Sequence, residues 1–373
     1  MKIDFANLQY QYQRYKKDID ERILSVLNKS NYIMGEEVAE LEHELEKFTG
    51  AKNAITCASG TDALILALMA LDINPDDEVI TTPFTFIATA ESIAFLKAKP
   101  VFVDINPDTY NIDVAKIEAA ITDKTKAIMP VSLYGQPSDM DEINAIARKH
   151  NLKVIIDGAQ SFGATYKGRS EAQCGDFYTT SFFPAKPLGC YGDGGAVFTN
   201  NDDFAEKIKM LRVHGQNKRY HHKYIGMGGR LDTIQAAVLL AKLPRYAEEV
   251  SLRHQIVAMY AEHLKQVLQN NPTIKSIPEI KEDRTSVYAQ YTLRVSNREK
   301  LQQELKVQGI PTAVHYPKPL HLQECFEYLG WKKGSFPVSE LASEEVMSLP
   351  MNAFLQIEEL QMVANSLLNT THD

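Results

Sequence analysis

The chain has 373 residues, with 40 Lys and Arg against 48 Asp and Glu, which gives a formal net charge of −8 with His neutral. Its hydrophobic fraction of 44% and charged fraction of 24% are those of an ordinary globular protein and exclude a disordered chain. Because nucleic-acid binding needs a concentrated basic face, the acidic balance argues against that class of partner. A single core stops growing at roughly 250–300 residues, so we expect a large domain and a smaller one.

At the N-terminus, Asp4 interrupts the apolar stretch before the core of a signal peptide could form. No later apolar run approaches the roughly 18 residues that a bilayer-crossing helix needs. The four cysteines lie far apart and form no CxxC pair: Cys57, Cys174, Cys190 and Cys325. We therefore expect a cytoplasmic protein with reduced thiols and no membrane partner.

From residue 50 to residue 200, short β-rich runs alternate with amphipathic helical stretches. The predicted strands are Ala54–Cys57, Val79–Thr82, Val101–Asp104, Ala127–Leu133, Val154–Asp157, Phe177–Ser181 and Ala196–Thr199. The predicted helices between them are Asp62–Leu71, Thr89–Lys97, Val114–Ile121 and Met140–His150. Continuous apolar strands joined through helices indicate an α/β fold with a mainly parallel, seven-stranded sheet covered on both faces.

The pattern changes after Leu211. A long helical stretch begins at Thr233, and Pro244 is expected to kink or break it. The C-terminal third has α+β character, with strand candidates at Ser286–Val295 and Thr312–Tyr316 and helix candidates at Arg298–Gln308, Val338–Met347 and Gln356–Leu368. We place the boundary so that residues 1–245 form the large domain and residues 246–373 the small C-terminal domain.

The first segment that can carry chemistry is Cys57-Ala-Ser-Gly-Thr-Asp, which combines a strand end, a small-residue turn and a helix start. Backbone N–H groups at a helix N-terminus, together with the hydroxyls of Ser59 and Thr61, can bind a phosphate. Ser and Thr are also the usual helix caps, so this segment alone favours plain capping.

The second segment is Val154-Ile-Ile-Asp-Gly-Ala-Gln, in which Asp157 ends a continuous apolar strand. In open α/β sheets, ligands bind at the carboxyl ends of the strands. A buried carboxylate there is costly unless it faces a cation. A strand-end Asp that merely caps the next turn is an equally good interpretation of this segment alone.

The third segment places Lys186 between Pro184 and Pro187, in an aromatic turn followed by glycines. Most lysines are exposed, but these stiff apolar surroundings indicate partial burial, which lowers the pKa of an amine and makes it nucleophilic. Such an amine forms Schiff bases with carbonyls. A phosphate cradle, an acid for a pyridinium N–H and this lysine are the partners that pyridoxal 5'-phosphate (PLP) needs.

Other chemistries are excluded by their missing motifs. The chain contains no GxxxxGK[ST] phosphate loop, no HExxH zinc helix and no GxSxG nucleophile elbow. His221 and His222 are adjacent, so their side chains diverge on a regular element and do not easily chelate one ion. No metal site is predicted.

At these segments the sequence closely resembles the DegT/DnrJ/EryC1/StrS family of PLP-dependent nucleotide-sugar aminotransferases, which have the aspartate-aminotransferase fold (PLP fold type I). The resemblance runs from Tyr32-Ile-Met-Gly to Ser348-Leu-Pro-Met and is most specific in Ser181-Phe-Phe-Pro-Ala-Lys-Pro-Leu-Gly. It implies two catalytic residues, Lys186 bound to PLP and Asp157 paired with the pyridine nitrogen. The other cofactor-binding residues that it implies are Gly60, Thr61 and Ser181 at the phosphate, Phe86 on the ring and Gln160 beside the phenolic oxygen.

Within the family, the sequence is most similar to enzymes that aminate C3 of a UDP-linked 2-acetamido-2-deoxy-3-keto-hexuronic acid for surface polysaccharide. The strings that carry this similarity include His214-Gly-Gln, Arg219-Tyr-His-His and Thr312-Ala-Val-His-Tyr-Pro. The resemblance further implies L-glutamate as amino donor and a homodimer with active sites at its interface. The substrate-binding residues that it implies are Met34, Tyr220, Arg230, His315 and Tyr316.

One position departs from the family pattern. Relatives often carry an Asn two residues before the equivalent of Arg230, and that Asn reaches the PLP phosphate of the partner subunit. Here the position is Gly228, which has no side-chain amide. Either a backbone N–H takes its place, which glycine permits by close approach, or one phosphate contact is missing.

Three alternatives remain open from the sequence. The first is amination of C4 on another nucleotide keto-hexose. The second is a PLP-binding dehydratase, although such relatives replace the cofactor-binding lysine with His, whereas Lys186 is present here. The third is a regulatory protein that binds PLP without catalysis.

Overall fold

The computed structural model describes residues 3–370. In chain order its strands are β1 (Asn53–Cys57), β2 (Glu78–Thr81), β3 (Lys99–Phe102), β4 (Thr125–Ile128), β5 (Lys153–Asp157), β6 (Thr165–Tyr166), β7 (Arg169–Ser170), β8 (Phe177–Ser181), β9 (Gly195–Thr199), β10 (Gln216–Lys218), β11 (His221–His222), β12 (Ile274–Ser276), β13 (Tyr291–Val295) and β14 (Val346–Leu349). Its helices are α1 (Leu8–Lys29), α2 (Glu36–Thr49), α3 (Gly60–Ala70), α4 (Ala88–Phe95), α5 (Val114–Ile117), α6 (Met140–Lys149), α7 (Asp202–Leu211), α8 (Thr233–Asn270), α9 (Arg298–Val307), α10 (Pro337–Glu345) and α11 (Ile357–Leu368).

Seven of these strands form the central sheet, in the spatial order β1-β9-β8-β5-β4-β2-β3. Strand β9 runs antiparallel to both of its neighbours, β1 and β8, and the other pairs are parallel. The predicted α/β fold with a mainly parallel seven-stranded sheet is therefore confirmed. All seven predicted strands are present, with bounds that shift at most of their ends.

The sheet is covered on both faces because successive strand residues point to opposite sides. In β5, Val154 and Ile156 belong to one core cluster and Ile155 belongs to another. The first cluster also contains buried residues of α1, α2 and α8, and the second contains α3, which is apolar on all sides. This two-sided burial accounts for the continuous apolar runs in the sequence.

A smaller antiparallel sheet, β12-β13-β14, follows in the C-terminal third. Its apolar residues pack with the C-terminal half of α8 and with α11 in a core cluster of their own. The predicted domain boundary after residue 245 falls inside α8, and the division into two domains stays a prediction. Within residues 3–370, no helix combines the length and the apolar character that crossing a bilayer requires.

The sequence predicts a kink or break at Pro244. Helix α8 does not end there, because it continues through this residue from Thr233 to Asn270. Proline removes one helical hydrogen bond. The residues on both sides of it, from Ala236 to Leu243 and at Tyr246, are buried against the core. This packing outweighs the local cost of the proline.

Two strand predictions in the C-terminal third are wrong in extent. Only Tyr291–Val295 of the alternating stretch forms a strand. Its first part pairs elsewhere, since the N–H of Val287 donates to Gly135 (3.1 Å) and that of Ala289 to Tyr134 (3.0 Å). In the stretch 312–316, only Ala313 forms a β-bridge, to Ser348. Both stretches instead contact the turn around Tyr134, whose hydroxyl donates to the carbonyl of His315.

Two further boundaries are corrected. Strand β4 ends at Ile128 and does not reach Leu133, because Pro130 has no N–H for a sheet ladder. The predicted helix end at Val346 and Met347 is instead the start of β14, where these residues pair with Arg294 and Leu293.

Candidate active site

Lys186 lies in a tight turn between β8 and β9, and its N–H donates to the carbonyl of Phe183 at 2.8 Å. The turn is compact because Gly189 approaches the preceding backbone: a Cβ at this position would lie 2.5 Å from the carbonyl oxygen of Pro184. The buried Lys242 of α8 donates its Nζ to the carbonyl of Gly189. The side chain of Lys186 is half-buried, as its proline-flanked setting predicts.

The ammonium group of Lys186 is electrostatically coupled to two other groups. Burial lowers the pKa of Lys186, and the carboxylate of Asp157 opposes that shift. Burial, and after it the charge on Lys186, lower the pKa of His315 to about 4. The structure therefore brings Lys186, Asp157 and His315 into one site at the carboxyl edge of the sheet.

Asp157 is buried at the end of β5, and both of its carboxylate oxygens accept hydrogen bonds. Oδ2 accepts from the hydroxyl of Thr89 at 2.7 Å, and Oδ1 accepts from the N–H of Ala159 at 3.2 Å. The hydroxyl of Thr89 also lies 2.9 Å from that of Thr85. Burial raises the pKa of Asp157, whereas Thr89, Ala159 and the charge on Lys186 lower it. A cation or N–H donor against this carboxylate would offset the cost of its burial.

Gln160, in the loop after β5, bonds to the turn of Tyr134 and to the side chain of Tyr316. Its Oε1 accepts from the N–H of Tyr134 at 2.8 Å, and its Nε2 donates to the hydroxyl of Tyr316 at 3.0 Å. The ring of Tyr316 lies 6.0 Å from that of Phe86, which is 53% exposed. Nδ1 of His315 lies 3.1 Å from the hydroxyl of Ser348. The structure therefore places Gln160, Phe86, His315 and Tyr316 side by side.

The start of α3 presents hydrogen-bond donors that the chain does not use. The Ser59 hydroxyl caps the N–H of Asp62 at 3.0 Å, and the Ser59 carbonyl accepts from Ala63 at 3.0 Å. Within residues 3–370, the N–H groups of Gly60 and Thr61 have no acceptor. Ser59 is thus the helix cap, and the next two residues keep donors that a ligand could use.

Ser181, at the end of β8, adjoins these free donors. A Cβ on Gly60 would lie only 2.7 Å from the Cβ of Ser181, so only glycine permits this approach. The Ser181 oxygen accepts from the N–H of Phe183 at 3.2 Å, which leaves its own hydrogen available to a ligand. The N-terminus of α3 therefore presents four donors together: the N–H groups of Gly60 and Thr61 and the hydroxyls of Ser59 and Ser181. These are the donors that a phosphate cradle needs.

The remaining predicted residues lie on other segments of the chain. Gly228 and Arg230 flank Gly229, whose carbonyl accepts from Ala58 at 3.0 Å, next to the start of α3. Met34 is exposed and follows Ile33, which pairs with Asp232. Tyr220 lies between β10 and β11 and is 76% exposed. In the described part of the chain, no hydrogen bond, ion pair or ring contact joins Met34, Tyr220, Gly228 or Arg230 to Lys186, Asp157 or Gln160.

Comparison with known proteins identifies the family. Residues 13–368 match the model of the DegT/DnrJ/EryC1/StrS aminotransferase family. The chain belongs to this family. The resemblance seen in the sequence is thus confirmed, and it extends over nearly the whole length.

Individual proteins similar to this chain match it over most of their lengths. The UDP-2-acetamido-2-deoxy-3-oxo-D-glucuronate aminotransferase of Pseudomonas aeruginosa is 51% identical over 367 residues, which cover 98% of this chain and 100% of that protein. A protein of Geobacillus stearothermophilus named pleiotropic regulatory protein is 45% identical, with 98% of each chain covered. The structure of NtdA from Bacillus subtilis, solved with the cofactor PMP bound, has a TM-score of 0.90 and 32% identity, with 98% of this chain and 84% of that chain covered.

Aminotransferases of this family depend on PLP. The residues present fit that cofactor. The free N–H groups of Gly60 and Thr61 suit a phosphate, the buried carboxylate of Asp157 suits a ring N–H, and the amine of Lys186, with its lowered pKa, suits an aldehyde.

Sequence analysis missed the residues that support this site. Thr89, which donates to Asp157, only begins the predicted helix Thr89–Lys97, and Thr85, which contacts Thr89, precedes that helix; neither carries a local signal of this contact. The contact between Tyr134 and Gln160 joins residues 26 positions apart, and no periodicity signals it. These contacts follow from the packing of α4 and of the turn after β4 against the end of β5.

Proposed function

We propose that this protein moves the amino group of L-glutamate to C3 of a UDP-linked 2-acetamido-2-deoxy-3-keto-hexuronic acid, in the biosynthesis of surface polysaccharide. The observation that carries the proposal is the half-buried amine of Lys186 coupled to the buried carboxylate of Asp157, beside free phosphate donors. Support for the sugar comes from the P. aeruginosa aminotransferase, which is 51% identical along its entire length.

Each residue of the site has a distinct role in this proposal. Gly60, Thr61 and Ser181 would hold the cofactor phosphate, Asp157 would accept a ring N–H, and Phe86 would pack against the ring. Gln160 would contact the phenolic oxygen. When bound, PLP supplies an electron sink that stabilises negative charge at the substrate carbon that loses a proton.

Lys186 performs the proton transfer. Its Nζ would hold the cofactor aldehyde, and as a free neutral amine it would accept a proton from the substrate carbon and return it to the neighbouring carbon. The lowered pKa of this amine favours the neutral form that the proton transfer requires. Two successive half-reactions on one site predict ping-pong kinetics, with glutamate first and the keto sugar second.

The amination itself can be tested with purified protein, PLP, L-glutamate and the UDP-3-keto sugar. We expect stoichiometric 2-oxoglutarate and a product whose new nitrogen lies on C3, as located by two-dimensional NMR. Nitrogen on C4 would contradict the predicted regiochemistry. Absence of 2-oxoglutarate with every keto sugar tried would instead favour the alternative of a PLP-binding regulator; the G. stearothermophilus relative is named a regulatory protein.

Thr89→Val is expected to lower kcat about tenfold or more, because a hydrogen bond to a charged group contributes about 1.5–3 kcal/mol. Valine keeps the shape of threonine but cannot donate to Asp157, so the pKa of the carboxyl rises and its pairing with a ring N–H weakens. Steady-state kinetics check this, with Thr89→Ser, which keeps the hydroxyl, as the matched control. A valine variant as active as the serine variant would contradict the proposed contact.

Gly60→Ala is expected to weaken PLP binding about tenfold by displacing the start of α3 from Ser181. The added Cβ would lie 2.7 Å from the Cβ of Ser181, closer than any real contact. Equilibrium titration of the protein with PLP measures the effect. Gly168→Ala is the control: its φ of +78° makes alanine costly for stability, but a Cβ in this turn between β6 and β7 meets nothing within 4 Å. Equal affinities in the two variants would contradict the cradle.

His315 is expected to make the protein less stable in mild acid. The pKa of His315 is about 4 in the folded protein and 6.5 in the unfolded chain. Below pH 6.5 the unfolded chain therefore binds a proton that the folded protein does not. Stability is therefore lost as pH falls from 6.5 towards 4, by on the order of 2 kcal/mol at pH 5. Urea unfolding of the wild type and of His315→Gln at pH 7 and pH 5 checks this. A parallel loss in both proteins would assign the effect to other groups.

The proposed homodimer explains the predicted residues that make no direct contact with Lys186 in the described part of the chain. Large apolar side chains are exposed in two segments, before α2 (Tyr32, Ile33 and Met34) and before α8 (Tyr220 and Ile225). Ile225 is 91% exposed, and exposed apolar groups of this size mark interaction surfaces. In the proposal, a second copy covers them, and Tyr220, Gly228 and Arg230 reach its site.

Mixing two inactive variants tests the shared site. We expect Lys186→Ala and Arg230→Ala homodimers to be inactive and their mixture, after subunit exchange, to regain activity, because the hybrid holds one site with both residues intact. Light scattering establishes the dimer independently. A mixture that stays inactive although hybrids form would place Arg230 and Lys186 in the same subunit's site.

A further inference from the structure

Glu171 is a buried carboxyl group that the proposed function does not use. It lies in the short segment between β7 and β8 and is 1% exposed. Its carboxylate accepts from two serine hydroxyls, that of Ser132 and that of Ser161, the second at 2.5 Å. Nothing in the sequence around Ser170-Glu-Ala-Gln suggests a function for it.

The two serines belong to the two chain segments that build the site. Ser132 precedes the turn of Tyr134, and its N–H donates to the carbonyl of Asp157 at 3.1 Å. Ser161 directly follows Gln160, and its N–H donates to the carbonyl of Gly158 at 3.0 Å. One carboxyl group thus joins the backbone on both sides of Asp157 and Gln160.

Tyr178 completes this network beneath the site. Its hydroxyl donates to the carbonyl of Gly158 at 3.1 Å and lies 3.3 Å from that of Ser161. A Cβ on Gly158 would lie 2.1 Å from the Tyr178 ring, so the loop after β5 rests directly on this side chain. Tyr178 therefore holds the backbone of the loop from below, and Ser161 links this contact to Glu171.

Stability alone does not account for a carboxyl group in this position. The Glu171 carboxylate is bonded to neutral hydroxyls. The guanidinium of Arg284 attracts this carboxylate but is itself paired with Asp283 and Asp139. Burial raises the pKa of Glu171 to about 7, which means that its ionised form is disfavoured in the folded protein. Apolar packing usually stabilises such a site at least as well.

We propose that Glu171 is a positioning residue, which holds the segment of Ser132 and Tyr134 against the loop of Asp157 and Gln160. This role rests on the proposed function of that site. Loss of the carboxyl group frees both serines, and the hydrogen bond from Tyr134 to Gln160 then loosens. Asp157 and Gln160, which would face the cofactor, then lose their fixed positions.

Hydrogen–deuterium exchange and PLP titration of the full-length protein test the role. Glu171→Ala is expected to speed backbone exchange in peptides covering residues 131–136 and 157–161 and to weaken PLP binding about tenfold. Glu171→Gln is expected to restore both, since its amide can accept from one serine and donate to the other. Ser132→Ala and Ser161→Ala are expected to show intermediate effects.

Glu78→Ala is the matched control. Glu78 is also a buried carboxyl, bonded to Thr122 at 2.6 Å and Lys99 at 3.0 Å, but it lies at the opposite edge of the sheet, at the start of β2. Its loss is expected to lower thermal stability and to leave exchange in the two peptides and PLP affinity as in the wild type.

Unchanged exchange in both peptides of Glu171→Ala, or equal effects in Glu171→Ala and Glu78→Ala, would overturn the proposal. If Glu171→Ala does not fold, the two serine variants decide it by the same readouts. Exchange is measured without substrate or cofactor. A wild type that transfers no amino group would therefore refute the proposed function and still leave the exchange result to decide the role of Glu171.

Discussion

Lys186→Ala is expected to give a folded protein that has lost amino transfer by a factor of about 1000 or more. Proton transfer by a positioned group contributes roughly 10²–10⁴ in rate, and the same side chain also holds the cofactor. The charge on Lys186 is the one that lowers the pKa of Asp157 against the effect of burial. The alanine variant is also expected to lack the visible absorbance that the wild type shows with PLP.

The measurement combines absorbance spectra with the rate of 2-oxoglutarate formation. Lys186→Arg is the control for charge, because it keeps a cation at this position but has no nucleophilic amine. Both variants are expected to retain the circular dichroism of the wild type, since the turn is fixed by its backbone and by Lys242. An alanine variant that turns over at the wild-type rate would remove Lys186 from the mechanism.

Asp157→Asn is expected to bind PLP weakly and to lose about 100-fold or more in kcat. The amide cannot carry the negative charge that keeps a ring nitrogen protonated, and without that proton the ring accepts electrons poorly. Its thermal stability without cofactor is expected to equal or exceed that of the wild type, because burial raises the pKa of Asp157 and so disfavours the folded carboxylate.

Asp104→Asn provides a matched control for this substitution. Asp104 is equally buried, and it accepts from the N–H groups of Val338 and Ser339 at 3.1 and 2.9 Å, which tie α10 to the large sheet. Its loss is expected to lower stability with PLP affinity unchanged. The opposite result for Asp157→Asn would be a lower thermal stability with unchanged PLP affinity. That result would make Asp157 a structural residue.

The sequence predicted the site where one rule of sheet geometry applies. Asp157 ends an apolar strand and Lys186 follows the next strand of the same sheet, so parallel pairing brings both to the carboxyl edge. The free donors at Gly60 and Thr61 follow in the same way from a strand, a turn and a helix start. Local sequence was sufficient in these cases because each signal lies within a few residues.

Prediction failed where distant segments determine the structure. The alternation of residues 286–290 is real, but these residues pair with the turn of Tyr134 and do not extend β13. Thr89 and Glu171 are a threonine and a glutamate in unremarkable local sequence, and only tertiary packing places them against Asp157 or its loop. Met34 and Tyr220 are not joined to Lys186 within one chain, so their roles depend on the proposed partner subunit.

Peptide mapping after borohydride reduction tests the central claim most directly. Borohydride fixes PLP irreversibly to the amine that holds it, and mass spectrometry of the digest then identifies that residue. We predict a single modified peptide, which contains Lys186. Lys242 is the informative competitor, because burial lowers its pKa to about 8, but its Nζ already donates to Gly189 and lies 5.1 Å from the ring centre of Tyr191. A label on Lys242, or no label on the peptide of Lys186, would contradict the assignment.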